Sequence, residues 1–479
     1  NYTSKLLPGH FIKFNISLSI FTVEKYWDVY NAYNKTKLDI TESEAKKHTE
    51  ELLVSACKYR MVADVPVGVF LSGGYDSTAI TALLQSHQKE KLKTFTIGFY
   101  EEDHNEAVFA KKVAEHLKTD HTEYYCTKKE AQEIIPEIPF FCDEPFGDSS
   151  IIPTTLVSKL ARKDVTVALS ADAGDEIFGG YNKYPLALDF FKKINKLPLK
   201  RSAGKLLKYI PDSLLNQFTK SDAVSIKKQR ISDLLQHADI STPVIMDQLL
   251  SQSSSPAHLQ VFVAENIIRS ETLFDKLEAI KSLTDLDKML AIDYKTYLPD
   301  DILVKVDRAS MSVSLEGREP LLDHRLIEFI AQLPENLKIK NGDKKYILKQ
   351  IVNDHVPKEL MDRTKMGFGI EAQCHFRRLV VITDLFLLGN IGGDDHFGMT
   401  MLRTAFQHVN LLFFEDDFRV NAAEAFRTEA LSKIIIGIRS FRHVRDGFEV
   451  TRLFGSRGCK YSKAVRQRRP FEYWTPRTE

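Results

Sequence analysis

"VPVGVFLSGGYDSTAITALL", residues Val65 to Leu84, decides how the rest of the chain is read. Its first part, "VPVGVFL", is a continuous apolar run, which predicts a strand covered on both faces of a parallel sheet. "DSTAITALLQSH" follows with Ala79, Ile80, Leu83 and Leu84 at helical spacing. Between strand and helix, Gly73 and Gly74 permit a sharp turn whose N–H groups face open space, where no Cβ obstructs an anion. The helix beginning near Asp76 adds a positive N-terminus, and Ser72 and Ser77 add hydroxyl donors. Phosphate suits such a cradle, with a plain tight turn as the alternative. An acid inside a phosphate cradle calls for an intervening cation, so Asp76 points to magnesium. No GxxxxGKS or GxxxxGKT occurs, which separates this turn from the loop that holds β and γ phosphates in NTPases.

The alternation continues downstream. "LKTFTIGF", "HTEYYC" and "VTVALSA" read as strands, with "NEAVFAKKVAEHL" and "SIIPTTLVSKLARK" as the helices between them. Ala110, Val113, Ala114 and Leu117 would face inward on the first of these helices. Strand and helix alternating at this period predict an α/β fold with a doubly wound parallel sheet, whose ligands bind where strands end and helices begin. Beyond Tyr181 the pattern is mostly helical and predicts an appended helical subdomain; "LDKMLAIDYKTYLPDDILVKVDRASMSVSLEGREPLLDHRLIEFIAQLP" reads as several packed helices. Upstream, Leu52, Leu53, Ala56 and Tyr59 fall on one helical face, and the opening stretch reads as short strands with Pro8-Gly9 as a turn.

A chain of 479 residues exceeds what one core usually supports, so two or three domains are expected. A net charge of +1 supplies no field for nucleic acid or a membrane surface. The five cysteines are scattered with no CxxC pair, which argues against a disulfide framework and against a zinc site. No signal-like start and no spanning apolar run are found, so a cytoplasmic location is expected. From Arg439 onward, eleven Lys/Arg stand against four Asp/Glu; a solvated tail and a nucleic-acid arm both fit, and the tail is the simpler reading.

"VALSADAGDEIFGGY", Val167 to Tyr181, repeats the layout of the opening stretch: a buried strand, small residues, then Asp172, Asp175 and Glu176. N-capping of the next helix would explain one of these acids but not three. Carboxylates this close require a cation or a developing positive charge among them.

These residues resemble the glutamine-hydrolysing asparagine synthetases. "LSGGYDS" resembles that family's pyrophosphate loop and "TFTIGF" its adenine-flanking strand. "DEPFGDSSIIPTTLVSKLAR" with "VTVALSADAGDEIFGGYNKY" resembles the second signature, and "VDRASMSVSLEGREPLLD" with "RTKMGFGI" the helical half. The resemblance runs from about Leu6 to Ile370 and implies three segments: 1–38 as the end of a glutaminase domain and its linker, 39–375 as an ATP-binding synthetase domain, and 376–479 unassigned. It implies that ATP and Mg2+ are used to adenylate aspartate or a related carboxylate, and that ammonia then displaces AMP to form an amide. Ser72, Gly73, Gly74, Asp76 and Ser77 would hold pyrophosphate, with Asp76 and Asp175 sharing magnesium. Leu71, Ile97, Ser170 and Ala171 would line the nucleotide pocket. Asp172 would take a proton from ammonia, and Lys365 would steady charge on the phosphate and the tetrahedral intermediate.

Three departures qualify the resemblance. The chain begins at Asn1 rather than at the family's catalytic cysteine, which leaves free ammonia, a separate glutaminase subunit or a truncated gene as the choices. Ala171 and Ala173 stand where many members carry glycine, a strain wherever φ must be positive. After Ile370 the family pattern is lost. A homodimer is compatible with the family. Two alternatives stay open: an amidotransferase acting on another carboxylate, such as a sugar acid or a ring-closing substrate, and an inactive scaffold homologue.

Overall fold

A computed structural model of the protein describes residues 5–100, 105–144, 146–211, 224–237, 240–250, 272–274 and 276–361. Lys365, the "RTKMGFGI" motif, the 376–479 segment and the basic end lie outside the described residues.

A five-stranded sheet forms the centre. Its strands are β3 (Val67–Phe70), β4 (Lys93–Phe99), β5 (Asp120–Cys126), β6 (Val167–Leu169) and β7 (Glu316–Arg318). They run in the order β5-β4-β3-β6-β7, and every pairing is parallel. Side chains alternate across it as strand geometry demands. Val167 and Leu169 join one core with Val69, Leu83 and Ala110, whereas Ala168 joins a second with Phe95, Ile97 and Ile151 on the opposite face. Two cores on two faces are what a doubly wound sheet produces, as expected from the apolar runs.

The chain crosses from β3 outward to β4 and β5, then returns to place β6 on the other side of β3. The direction of winding therefore reverses between β3 and β6, the crevice where such sheets bind ligands. Helices α1 (Glu42–Met61), α2 (Tyr75–Ser86), α3 (Ala107–Leu117) and α4 (Ile151–Ala161) cover the faces. Leu53 and Ala56 of α1 are buried, but Tyr59 is 62% exposed with the Arg325 guanidinium stacked on its ring, so it belongs to the helix flank rather than the inward face. Helix α2 is buried without a break from Ser77 to Leu84, more deeply than its one-sided spacing predicts, because α1 and the later helical segments close over it.

The long connection from β6 to β7 carries the helical part: α5 (Gly174–Phe178), α6 (Lys183–Asn195), α7 (Asp285–Lys295) and α8 (Leu303–Met311), with α9 (His324–Gln332) and α10 (Tyr346–His355) following β7. The expected packed helices are present across this region, but a short strand, β7, interrupts them. Ser314 at φ 58° ends the helical run, and three residues then pair with β6 as an edge strand too short to show a period-two pattern. Near the start, β1 (His10–Asn15) and β2 (Ile20–Lys25) form an antiparallel hairpin whose apolar side chains stay largely exposed, Phe14 at 60% and Ile20 at 55%. Pro8-Gly9 precedes the hairpin instead of turning it; Gly9 is needed because a Cβ would lie 2.3 Å from the Trp27 carbonyl oxygen. Lys37 reaches Asp287, which is fully buried against Lys338 at 2.7 Å, and this pins the segment before α1 to the helical part.

Candidate active site

Strand β3 ends at Phe70, and Leu71 to Gly74 turn directly into α2. Gly73 takes φ 73°, and a Cβ there would approach the Ala110 nitrogen to 2.7 Å, so glycine is dictated twice over. The serines shape the loop. The Ser72 amide donates to Ser77 Oγ at 3.1 Å, the two hydroxyls meet at 3.0 Å, and the Gly74 amide donates to Ser72 Oγ at 3.3 Å. Gly74 caps α2 without any side-chain hydrogen bond, so the helix presents its first-turn amides and positive end to the crevice.

The neighbouring strand β6 delivers the second turn. Ser170 donates its amide to the Arg318 carbonyl at 2.9 Å, which carries the β6–β7 pairing one residue beyond the strand. Ser170 Oγ donates to Asp172. Ala173 then adopts φ 78°, the left-handed conformation that costs a residue with a Cβ about 1–2 kcal/mol. Ala171 is not in that region, so only one of the two alanines carries the expected strain. Ala173 itself is the N-cap of α5, so no acid occupies the capping position.

The two turns meet. Asp76 from α2 and Asp175 from α5 both pair with the ammonium of Lys345, Asp175 at 2.6 Å. Two glycines make the approach possible: a Cβ at position 174 would lie 2.4 Å from Asp76 Oδ1, and one at 180 would lie 1.9 Å from Asp175 Oδ1 and 2.0 Å from Lys345 Cε. Burial works against the Lys345 charge, yet Asp175 and Asp76 hold its pKa above the ordinary lysine range. The cation that the structure places against both acids is the chain's own Lys345 ammonium.

Lys345 was not identified from sequence. It follows the hairpin of β8 (Ile339–Lys340) and β9 (Asp343–Lys344), whose turn is Asn341-Gly342 with φ 52° and 83°. An Asn-Gly pair is a strong hairpin signal, so the turn was readable, though the lysine's target across the fold was not.

A cavity of about 680 Å³ unites these parts, within the range of cofactor-sized sites. Leu71, Ser72, Gly73, Gly74, Asp76, Ser77, Ile97, Ser170, Ala171, Asp172 and Asp175 all line it. Leu71 and Ile97 form its buried apolar wall. Of the residues expected from the sequence, Lys365 alone lies outside the described part. Burial raises the pKa of Asp172, reinforced by the charges of Asp76 and Asp175 and offset by Lys305 and the Ser170 hydrogen bond. Glu319, immediately beyond β7, is pushed up to about 8 by burial and by the charges of Asp172 and Asp307. Behind the acidic turn, Glu176 is buried and accepts from the Tyr181 hydroxyl at 2.7 Å; burial and the Asp175 charge push it up to about 8.

Among the described residues no cluster of three or more His, Cys, Asp or Glu side chains could hold a metal by itself. Two convergent carboxylates nevertheless match magnesium's habit of taking one or two protein carboxylates and completing its shell with water and substrate phosphate. No helix among the described residues is long and apolar enough to cross a membrane.

A family model described as asparagine synthase matches residues 48–380. The chain is 31% identical over 362 residues to glutamine-hydrolyzing asparagine synthetase 1 of Bacillus subtilis, covering 74% of this chain and 54% of that protein. It is 33% identical over 331 residues to a putative glutamine-hydrolyzing asparagine synthetase of Mycobacterium tuberculosis, covering 65% and 46%. Over 192 residues it is 42% identical to a putative glutamine-hydrolyzing asparagine synthetase 2 of Methanocaldococcus jannaschii, covering 37% and 35%. The chain thus spans about half the length of the longer-matching relatives. Because the family match takes in both strand-end turns, the cavity between them and more than half of the residues, the chain belongs to the asparagine synthase family.

Proposed function

We propose that the protein is an ATP-dependent, AMP-forming amide ligase that converts aspartate to asparagine through a β-aspartyl-adenylate, with ammonia as the nitrogen donor. One observation carries this reading: the glycine turn after β3 and the acidic turn after β6 open onto a single cavity and are joined there by Lys345.

Adenylation breaks the bond between the α and β phosphates, so the leaving pyrophosphate must be held and its charge offset while the α-phosphorus stays exposed. The amides at the start of α2, the Ser72 and Ser77 hydroxyls and the Lys345 ammonium hold that diphosphate. Leu71, Ile97, Ser170 and Ala171 enclose the nucleotide base and sugar. Asp76 and Asp175 would hold Mg2+, which when bound neutralises phosphate charge. In the second step Asp172 accepts a proton from the attacking ammonia; its raised pKa places it closer to that task than an ordinary aspartate. Lys365 is assigned the stabilisation of phosphate and intermediate charge.

Incubation with ATP, Mg2+, ammonium and L-aspartate should release AMP, pyrophosphate and asparagine in equal amounts. Asp172→Asn should leave aspartate-dependent ATP–pyrophosphate exchange in place while amide formation falls about 10²–10⁴-fold. Exchange and amide formation falling together, or no AMP released with aspartate, would refute the assignment.

A further inference from the structure

The glycine turn, the acidic turn and the apolar wall account for the nucleotide and its leaving group but leave one end of the cavity unassigned. That end is lined by Asp148, Ser150, Tyr297 and Lys305. We infer that Lys305 and Asp148 form the recognition site for the acid substrate and select an α-amino acid by its zwitterionic head, Lys305 taking the α-carboxylate and Asp148 the α-ammonium. This assignment rests on the ligase reading above.

Lys305 lies in the first turn of α8 and is only 8% exposed. Its ammonium meets Asp148 Oδ2 at 3.2 Å. Asp148 is fixed from the other side, accepting from the Ser150 amide at 2.9 Å and the Ser150 hydroxyl at 2.7 Å at the entry to α4. The pair is therefore pre-oriented on two separate elements, as a discriminating site requires. A lysine ammonium has three donors and one is directed at Asp148, which leaves it able to take a substrate carboxylate as well.

The surroundings carry more negative than positive charge. Asp301 is pushed up to about 6 by burial and the Asp148 charge, with Lys305 offsetting part of the rise and the Tyr297 hydroxyl donating to it. Asp172 also feels Lys305. Asp148, Asp172 and Asp301 thus share one lysine, and an incoming ammonium group supplies the missing positive charge. Residues 297, 301 and 305 recur at four-residue spacing, and the turn Leu298–Ile302 between them is a π-helix leading straight into α8. Widened turns of this kind are frequent at functional sites.

Substrate analogues separate the two contacts. L-Aspartate carries both groups of the head, succinate lacks the amine and β-alanine lacks the α-carboxylate, while all three keep a carboxylate that can be adenylated. ATP–pyrophosphate exchange is measured with each acid for wild type, Lys305→Met, Lys305→Arg and Asp148→Asn, alongside ATP affinity and thermal melting. Lys305→Met should raise the aspartate KM about 10–100-fold with the ATP KM unchanged, and Lys305→Arg should recover most of the loss. The Lys305→Met penalty should vanish with β-alanine, and that of Asp148→Asn with succinate. An unchanged aspartate KM in Lys305→Met, or an equal penalty on aspartate and β-alanine, overturns the subsite and leaves the ligase reading standing. A wild-type chain that binds ATP but supports exchange with none of the acids overturns the ligase reading itself, and the subsite with it. Should Lys305→Met fail to fold, an Asp148→Asn variant that melts like wild type yet shows no change in the aspartate-to-succinate ratio overturns the subsite.

Discussion

Replacing Lys345 with methionine tests the central arrangement most directly. The lysine is buried, with 8% of its side chain exposed, and it is the group on which Asp76 and Asp175 converge. Methionine keeps the length and apolar stem but leaves two carboxylates facing each other in a partly enclosed space. Removing one partner of a buried charge network typically costs about 3–5 kcal/mol, because the remaining charge keeps its desolvation penalty and loses its compensation. Urea unfolding at pH 7.5 should show a loss of that size in Lys345→Met. The loss should shrink toward pH 5, since without the lysine charge between them the two carboxylates raise each other's pKa in the folded variant and proton uptake relieves their repulsion. Mg2+ at one hundred times its Kd should then stabilise the variant by about 2.7 kcal/mol. A destabilisation below about 1 kcal/mol, or a variant equally unstable at both pH values, would show that the lysine does not balance these carboxylates and would remove the physical basis for a diphosphate seat.

Gly180→Ala forces a Cβ into Asp175 and Lys345; it should cost about 1–3 kcal/mol in urea unfolding and weaken ATP binding measured by calorimetry. Ala173→Gly relieves about 1–2 kcal/mol of left-handed strain against about 0.5–1 kcal/mol of added chain entropy, so its melting midpoint should stay level or rise slightly. Glu176 has a folded pKa of about 8, above its ordinary value, so folding retains a proton that the unfolded chain has already released. Wild type should therefore lose stability as pH rises through the window between the ordinary glutamate value and about 8, and Glu176→Gln should flatten urea midpoints across it.

The sheet and one half of the site were legible in sequence because each signal was local. Val167 to Leu169 are buried and Val67 to Phe70 are buried at their centre and half-buried at their ends, so both read as unbroken apolar runs, and the turns that follow them carry their own punctuation. Strain at Ala171 or Ala173 was an expectation from the family resemblance, and only Ala173 has a positive φ. What escaped was set by distant partners. Lys345 looks like any solvated lysine until the fold brings it to Asp76, 269 positions away. Lys305 sits in a helical pattern whose neighbours give no hint of Asp148, 157 positions back. The edge strand β7 has three residues, fewer than a periodicity needs, and its pairing partner rather than its composition makes it a strand.

The pairing of Val67 with Val167, a hundred positions on, has a consequence for how the chain matures. Because the two acid-bearing turns hang from adjacent strands that are remote along the backbone, no contiguous fragment shorter than that loop can assemble a complete nucleotide seat. Assembly of that cavity thus reports that the widest loop closure in the sheet's first half has been achieved, and a polypeptide stalled before Val167 emerges will have its glycine turn but nothing to face it.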